Sequence, residues 1–141
     1  MAGRKDLHIV ASINIGANYL HMIIAEISSD KKCNILEDLT KPSNIGRDTY
    51  SSGRISIKTI QQTCSDLKGF SMLMKDYRIK TYRAVSTSGI REAENSEYIV
   101  EQIRLAAGIN VDTINTAEES LLNSKALRNH MPKSEFLTAD S

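Results

Sequence analysis

Three strand-like runs stand side by side at the start of this chain, separated by links too short for anything but a reversal of direction. Residues 7–15 form an apolar run ending in Asn14-Ile15-Gly16-Ala17-Asn18, which reads as a buried strand entering a tight turn. Residues 20–28 are a second run, Ser29-Asp30-Lys31-Lys32 is a polar hairpin connection, and residues 33–39 alternate well enough for a third strand. Such neighbours predict an antiparallel meander.

The pattern then changes. Residues 42–53, rich in Pro, Ser, Asn, Gly and Asp, read as a loop. Ser56 caps a long amphipathic helix with Ile57, Ile60, Cys64, Leu67, Met74 and Tyr77 near one face, weakened slightly by Gly69. Thr81-Tyr82-Arg83-Ala84-Val85 has a strand's β-branched and aromatic content. Tyr98, Ile99, Gln102, Ile103 and Ala106 share one face of a helix that ends near Gly108. A strand at residues 110–114 and a helix opened by Thr116 follow, and the pattern admits a further strand from Phe136. The order βββαβαβα predicts an α/β domain whose second half adds parallel strands through right-handed crossovers.

Composition narrows the function classes. The 141 residues fit one domain with a real core, and a formal net charge of +1 creates no global field for a polyanion. Duplex nucleic acid is therefore not an expected partner, and phosphate recognition has to come from local loops. No apolar run is long enough to span a membrane, and Met1-Ala2-Gly3-Arg4-Lys5-Asp6 lacks a signal peptide's apolar core, so the expected compartment is the cytoplasm. Cys33 and Cys64 have no partner motif, which argues against a disulfide framework or a zinc site.

One connection carries chemistry. Ser86-Thr87-Ser88-Gly89-Ile90-Arg91-Glu92-Ala93-Glu94-Asn95 joins the carboxyl end of a strand to a helix through small, amide-rich residues and includes an arginine. Backbone N–H groups in such a turn favour an anion, and a guanidinium clamps phosphate oxygens bidentately. An ordinary turn with a solvated arginine uses the same residues.

Four ordered segments resolve that ambiguity by resemblance. Ala11-Ser12-Ile13-Asn14-Ile15-Gly16-Ala17-Asn18-Tyr19-Leu20-His21 is similar to the first phosphate motif of the exopolyphosphatase/guanosine pentaphosphate phosphohydrolase family, A-x-I-D-I-G-S-N-S-x-R. Asn44-Ile45-Gly46-Arg47-Asp48 followed by Ser52-Gly53-Arg54-Ile55-Ser56 resembles the family's loop into its long helix. Ala84 to Asn95 resembles A-T-S-A-L-R-E-A-x-N, and Ile114-Asn115-Thr116-Ala117-Glu118-Glu119 resembles I-S-G-x-E-E. Leu137-Thr138-Ala139-Asp140 is similar to the strand leading into the family's second phosphate motif.

The resemblance implies a ribonuclease H-like, actin-type ATPase fold: a single lobe with a βββαβα(βα) mixed sheet and helices on its faces. Residues 1–141 would be the amino-terminal lobe of a two-lobed protein whose second lobe is absent from this chain. It also implies Mg²⁺-assisted release of orthophosphate from inorganic polyphosphate or a guanosine polyphosphate, with little turnover by the isolated lobe. A homodimer of the full-length protein is compatible with it.

Residue by residue, the resemblance assigns phosphate binding to Gly16, Ala17, Asn18, Thr87, Ser88 and Arg91, with residues 16–18 facing residues 87–91. Asn14 takes the place of the family's metal-organising aspartate, and a neutral amide brings no charge to a hard cation. Ala17 and Tyr19 replace two serines, and His21 replaces an arginine. Arg47 and Arg54 read as solvated loop cations, and no role is assigned to His8, His21 or His130.

Spacing separates the two glutamates. Thr116-Ala117-Glu118-Glu119 fits a capping box in which Glu119 reaches back to the threonine's N–H. Glu118, the first of the family's pair, is the expected water-orienting base, and Glu119 is the alternative. A non-catalytic module that binds polyphosphate or a guanosine polyphosphate is the second reading, supported by Asn14. An ATP-using sugar- or acetate-kinase relative is the third and weakest, because adenosine recognition would need the other lobe.

Overall fold

The computed structural model describes residues 7–114. Strands β1 (His8–Ile15), β2 (Tyr19–Ile27) and β3 (Cys33–Pro42) form the meander, followed by helices α1 (Ile45–Ser52) and α2 (Ile57–Asp76). Strand β4 (Thr81–Ser86), helices α3 (Ser88–Arg91) and α4 (Ser96–Ala107), and strand β5 (Val111–Thr113) complete the described fold. Their order in the sheet is β3-β2-β1-β4-β5. β1 pairs antiparallel with β2, as β2 does with β3, whereas β1–β4 and β4–β5 are parallel. Among the described residues, no helix is long and apolar enough to cross a membrane.

The β2–β3 hairpin closes as its polar composition demands. Ser28 N–H donates to Lys32 O at 3.0 Å, Lys31 N–H donates to Ser28 O at 2.9 Å, and Lys31 adopts φ 66°. Ala11, Ile13, Ile15, Leu20, Met22 and Ile24 put one sheet face into the main core. Ile60, Leu67, Phe70 and Met74 of α2, with Ile99, Ile103 and Ala107 of α4, pack into the same core. The four-residue spacing of Ile99, Ile103 and Ala107 turns one stripe of α4 inward.

Several expectations need correction. Residues 42–53 are not a loop: β3 continues to Pro42, and Ile45–Ser52 is helical. α1 was hidden by weak helix formers. It buries Ile45, Gly46 and Thr49, and its N-cap residue Asn44 makes no side-chain capping bond, so tertiary contacts rather than local propensity hold it. The single helix expected after β4 is two, α3 and α4. Ile57, Tyr98 and Ala106 are exposed rather than core residues, and Cys64 and Tyr77 are only half-buried. Ser56 does cap α2, accepting from Thr59 N–H at 3.2 Å. The Thr116 helix and Phe136 strand lie outside the described residues.

Candidate functional site

Because β1, β4 and β5 are parallel, their carboxyl ends at Ile15, Ser86 and Thr113 lie on one edge of the sheet. In α/β sheets that edge is where loops gather to hold ligands. Here it carries the turn after β1 and the segment after β4. Gly16 N–H donates to Tyr19 O at 2.9 Å, tightening the first turn.

The two segments touch. A Cβ placed on Gly89 would lie 3.2 Å from Ala17 Cα, 3.4 Å from Ala17 Cβ and 3.1 Å from Ile45 Cγ2. A Cβ on Gly46 would come within 2.6 Å of Ala17 Cβ. Residue 17 thus sits between two glycines, one on α1 and one on α3, and the missing side chains set how closely the three backbones approach.

Helix α1 holds both segments. On one side, Gly46 N–H donates to Ala17 O at 2.9 Å and Ser43 N–H, just before the helix, to Asn18 O at 2.8 Å. On the other, the buried Thr49 hydroxyl donates to Gly89 O at 2.7 Å, while Tyr50 Oη lies 2.7 Å from Ser88 Oγ. These α1 contacts were not read from the sequence. Gly46 was visible within the family-like segment, but Thr49 and Tyr50 carried no signal of their own.

A second staple fixes the far end of the phosphate-like segment. Asn95 Oδ1 accepts from Ile55 N–H at 3.0 Å, Asn95 Nδ2 donates to Ile55 O at 2.9 Å, and Glu94 N–H donates to Gly53 O at 2.8 Å. Asp48 anchors the intervening loop by accepting from Ser56 N–H at 3.0 Å and Ser56 Oγ at 2.9 Å. Burial pushes the Asp48 carboxyl up, but hydrogen bonds from Thr59 and Ser56 and the nearby Arg47 charge outweigh it and hold the group below its ordinary value.

The other candidate residues separate. Arg91 is not a merely solvated cation: its Nη1 donates to Ile114 O at 2.9 Å, fixing the side chain at the sheet edge. A guanidinium has five donors, and among the described residues this is the one side-chain hydrogen bond of Arg91, whose backbone N–H donates separately to Thr87 O at 3.1 Å. Thr87 is the N-cap residue of α3 and makes no side-chain capping bond. Arg47 and Arg54 are exposed, and Arg54 Nη1 lies 3.7 Å from Glu94 Oε2. His21 Nε2 lies 2.5 Å from Asp38 Oδ1, giving this histidine a structural partner. Glu118 and Glu119 lie outside the described residues.

Asn14 lies near the end of β1, opposite Val85 of β4 and His21 of β2, and its Oδ1 is buried without a hydrogen-bond partner among the described residues. The described residues contain no group of three or more His, Cys, Asp or Glu able to hold a metal ion. One neutral amide oxygen does not fit Mg²⁺, which is held through carboxylates and substrate phosphates.

With this geometry in place, a family model described as the Ppx/GppA phosphatase family matches residues 23–141. The chain belongs to that family. Exopolyphosphatase 1 of Mycobacterium tuberculosis is 22% identical over 116 residues, covering 82% of this chain and 34% of the relative. The bifunctional 3-dehydroquinate synthase/phosphatase of Fusobacterium nucleatum is 25% identical over 130 residues, covering 87% of this chain and 19% of the relative. This Ppx/GppA chain thus spans about a third of the length of the exopolyphosphatases it matches.

Solved structures agree. The crystal structure of the Aquifex aeolicus Ppx/GppA family member superposes with a TM-score of 0.76 at 29% identity, over 80% of this chain and 37% of that one. An exopolyphosphatase from Cytophaga hutchinsonii superposes with a TM-score of 0.77 at 23% identity, over 82% of this chain and 36% of that one, which speaks to the fold. The mixed five-stranded sheet is thereby the ribonuclease H-like, actin-type fold anticipated from the sequence.

Proposed function

We propose that this chain forms the phosphate-holding half of a cleft that hydrolyses phosphoanhydrides, releasing orthophosphate from inorganic polyphosphate or a guanosine polyphosphate. One observation carries the reading: two segments distant in sequence, around Ala17 and around Gly89, meet at the carboxyl ends of β1 and β4 in a chain of the Ppx/GppA family. Small residues at the contact let backbone groups approach an anion closely, and Arg91 supplies positive charge at the same edge.

In this reading, residues 16–18 and 87–91 orient the terminal phosphate and neutralise part of its charge. Holding that group in line with an attacking water is the larger share of the catalytic work in phosphoryl transfer. Glu118 is the proposed water-orienting base. The opposite wall of the cleft would come from a second lobe. Any Mg²⁺ would be held by that complete cleft, not by Asn14 alone.

A non-catalytic polyphosphate-binding module is the second reading. It is favoured by the buried, unpartnered Asn14 Oδ1, where the resemblance leads one to expect a charged aspartate.

The two are separated by measuring equilibrium binding of inorganic polyphosphate and orthophosphate release with a two-lobed full-length protein. Binding with Mg²⁺-dependent release, reduced about a hundredfold or more by Glu118→Gln but only mildly by Glu119→Gln, is the expected hydrolase result. Binding without release supports the module, and absence of binding refutes both.

A further inference from the structure

We infer that Tyr50 is a positioning residue of the phosphate turn, setting the direction of the Ser88 O–H toward a bound phosphate oxygen. The inference rests on the phosphate-site reading above and gives it a polar relay. Tyr50 is 58% exposed, so packing does not account for its side chain. Its Oη lies 2.7 Å from Ser88 Oγ and 3.5 Å from Glu92 Oε2. The adjacent Thr49 bonds the adjacent Gly89 carbonyl from the buried side, so the backbone of the turn is held independently of Tyr50.

A serine hydroxyl has one proton and two acceptor lone pairs, and it rotates to suit its neighbours. If Ser88 donates to Tyr50, it turns lone pairs toward an arriving anion, which repels it. If Tyr50 donates to Ser88, the serine proton points elsewhere and is available to a phosphate oxygen. The phenol is the stronger acid of the two hydroxyls, which favours the second arrangement. Glu92, at 3.5 Å, is too distant to hold the phenol proton firmly in competition. Donation along the chain from Tyr50 to Ser88 to phosphate then polarises each bond and strengthens the last one.

The test is a double-mutant cycle, in the two-lobed full-length protein, on binding of inorganic tripolyphosphate, with melting temperature measured for each variant. Tyr50→Phe keeps the ring and removes only the donor. Tyr50→Phe and Ser88→Ala are each expected to weaken binding about fivefold, the scale of one neutral hydrogen bond. The double variant should bind no more weakly than Ser88→Ala alone, because Tyr50 acts through Ser88. Melting temperatures should stay close to wild type.

Wild-type binding that Tyr50→Phe leaves unchanged overturns the inference alone, as do losses that multiply in the double variant. Weakened binding accompanied by a large fall in melting temperature for Tyr50→Phe also overturns it, by making the contact structural. No binding by the wild-type protein overturns the phosphate-site reading and this inference with it.

Discussion

Gly46→Ala tests whether the spacing of the site is set by its glycines. The new methyl would lie 2.6 Å from Ala17 Cβ, 3.1 Å from Ala17 O and 3.2 Å from Ala17 Cα. Carbon atoms in favourable contact are about 3.5–4.0 Å apart, so the overlap is roughly an ångström. Alanine has no rotamer in which to escape, and Ala17 is tied to α1 through its own carbonyl at 2.9 Å. Either the turn or the helix has to move. Overpacking of this kind costs about 1–3 kcal/mol, against which the higher helix propensity of alanine returns up to about 1 kcal/mol. The net loss lies between about 0 and 3 kcal/mol, and a mid-range loss of roughly 1.5 kcal/mol corresponds to a fall in melting temperature of about 5 °C for a chain of this size. Gly69→Ala in α2 is the control, since a Cβ there meets nothing within 4 Å. Only propensity remains, and stability should rise by about 0.5–1 kcal/mol. Combining Gly46→Ala with Ala17→Gly removes the shortest overlap and should recover part of the loss. Circular dichroism melts of the four proteins provide the readout. A Gly46→Ala protein stabilised as much as Gly69→Ala, or no recovery in the double variant, refutes the steric reasoning.

Asn95→Asp keeps an acceptor for Ile55 N–H but turns a second oxygen toward Ile55 O, and should cost about 1–3 kcal/mol at neutral pH. The fall in melting temperature should shrink in acid, where a protonated carboxyl donates again; a loss independent of pH argues against the two-bond staple. Asp48 has its folded-state pKa below the ordinary value of 3.8, so its stabilisation is present above that value and is lost as pH falls through the folded one. The melting temperature of Asp48→Asn should accordingly trail wild type at neutral pH and converge with it in acid; a constant offset from pH 7 to below 3.8 counts against the assignment. Asn14→Asp puts a carboxylate where Oδ1 has no donor, so burial should raise its pKa and the deficit in melting temperature should widen as pH rises from about 4 to 8. A deficit closed by added Mg²⁺ shows that charge was the missing element of a cation site; a deficit absent throughout shows that the position is not sealed from water.

The sheet was readable because its signals are local and redundant. Residues 7–39 contain three β-rich runs with short turns, and such a chain has few topologies open to it. The Ser56 cap was equally clear, since a hydroxyl at a helix start has one dominant use. The burial of α4 was read with the wrong rotation because Tyr98 and Ala106 are apolar enough to pass for core residues. The stripe made by Ile99, Ile103 and Ala107 is what the sheet and α2 leave room for. Periodicity finds a helix better than it finds the face that docks.

The site divided along a different line. Its two phosphate-like segments could be recognised because each has its own sequence pattern, but the distance between them is set by α1, whose residues read as filler. Ile45-Gly46-Arg47-Asp48-Thr49-Tyr50-Ser51-Ser52 has little helix propensity, one large buried aliphatic side chain and an N-cap residue, Asn44, that makes no side-chain capping bond. Its residues serve other segments: Gly46 receives Ala17, Thr49 holds Gly89, Tyr50 meets Ser88, and Asp48 anchors Ser56. Each of those partnerships spans a turn or a strand, so none leaves a periodic trace in the local sequence. The consequence is a separation of labour. The strands place the candidate site at one edge of the sheet, while α1 fixes how far apart its halves stand, so changes on α1 can alter the spacing of those halves without disturbing the strand pairing that defines the fold.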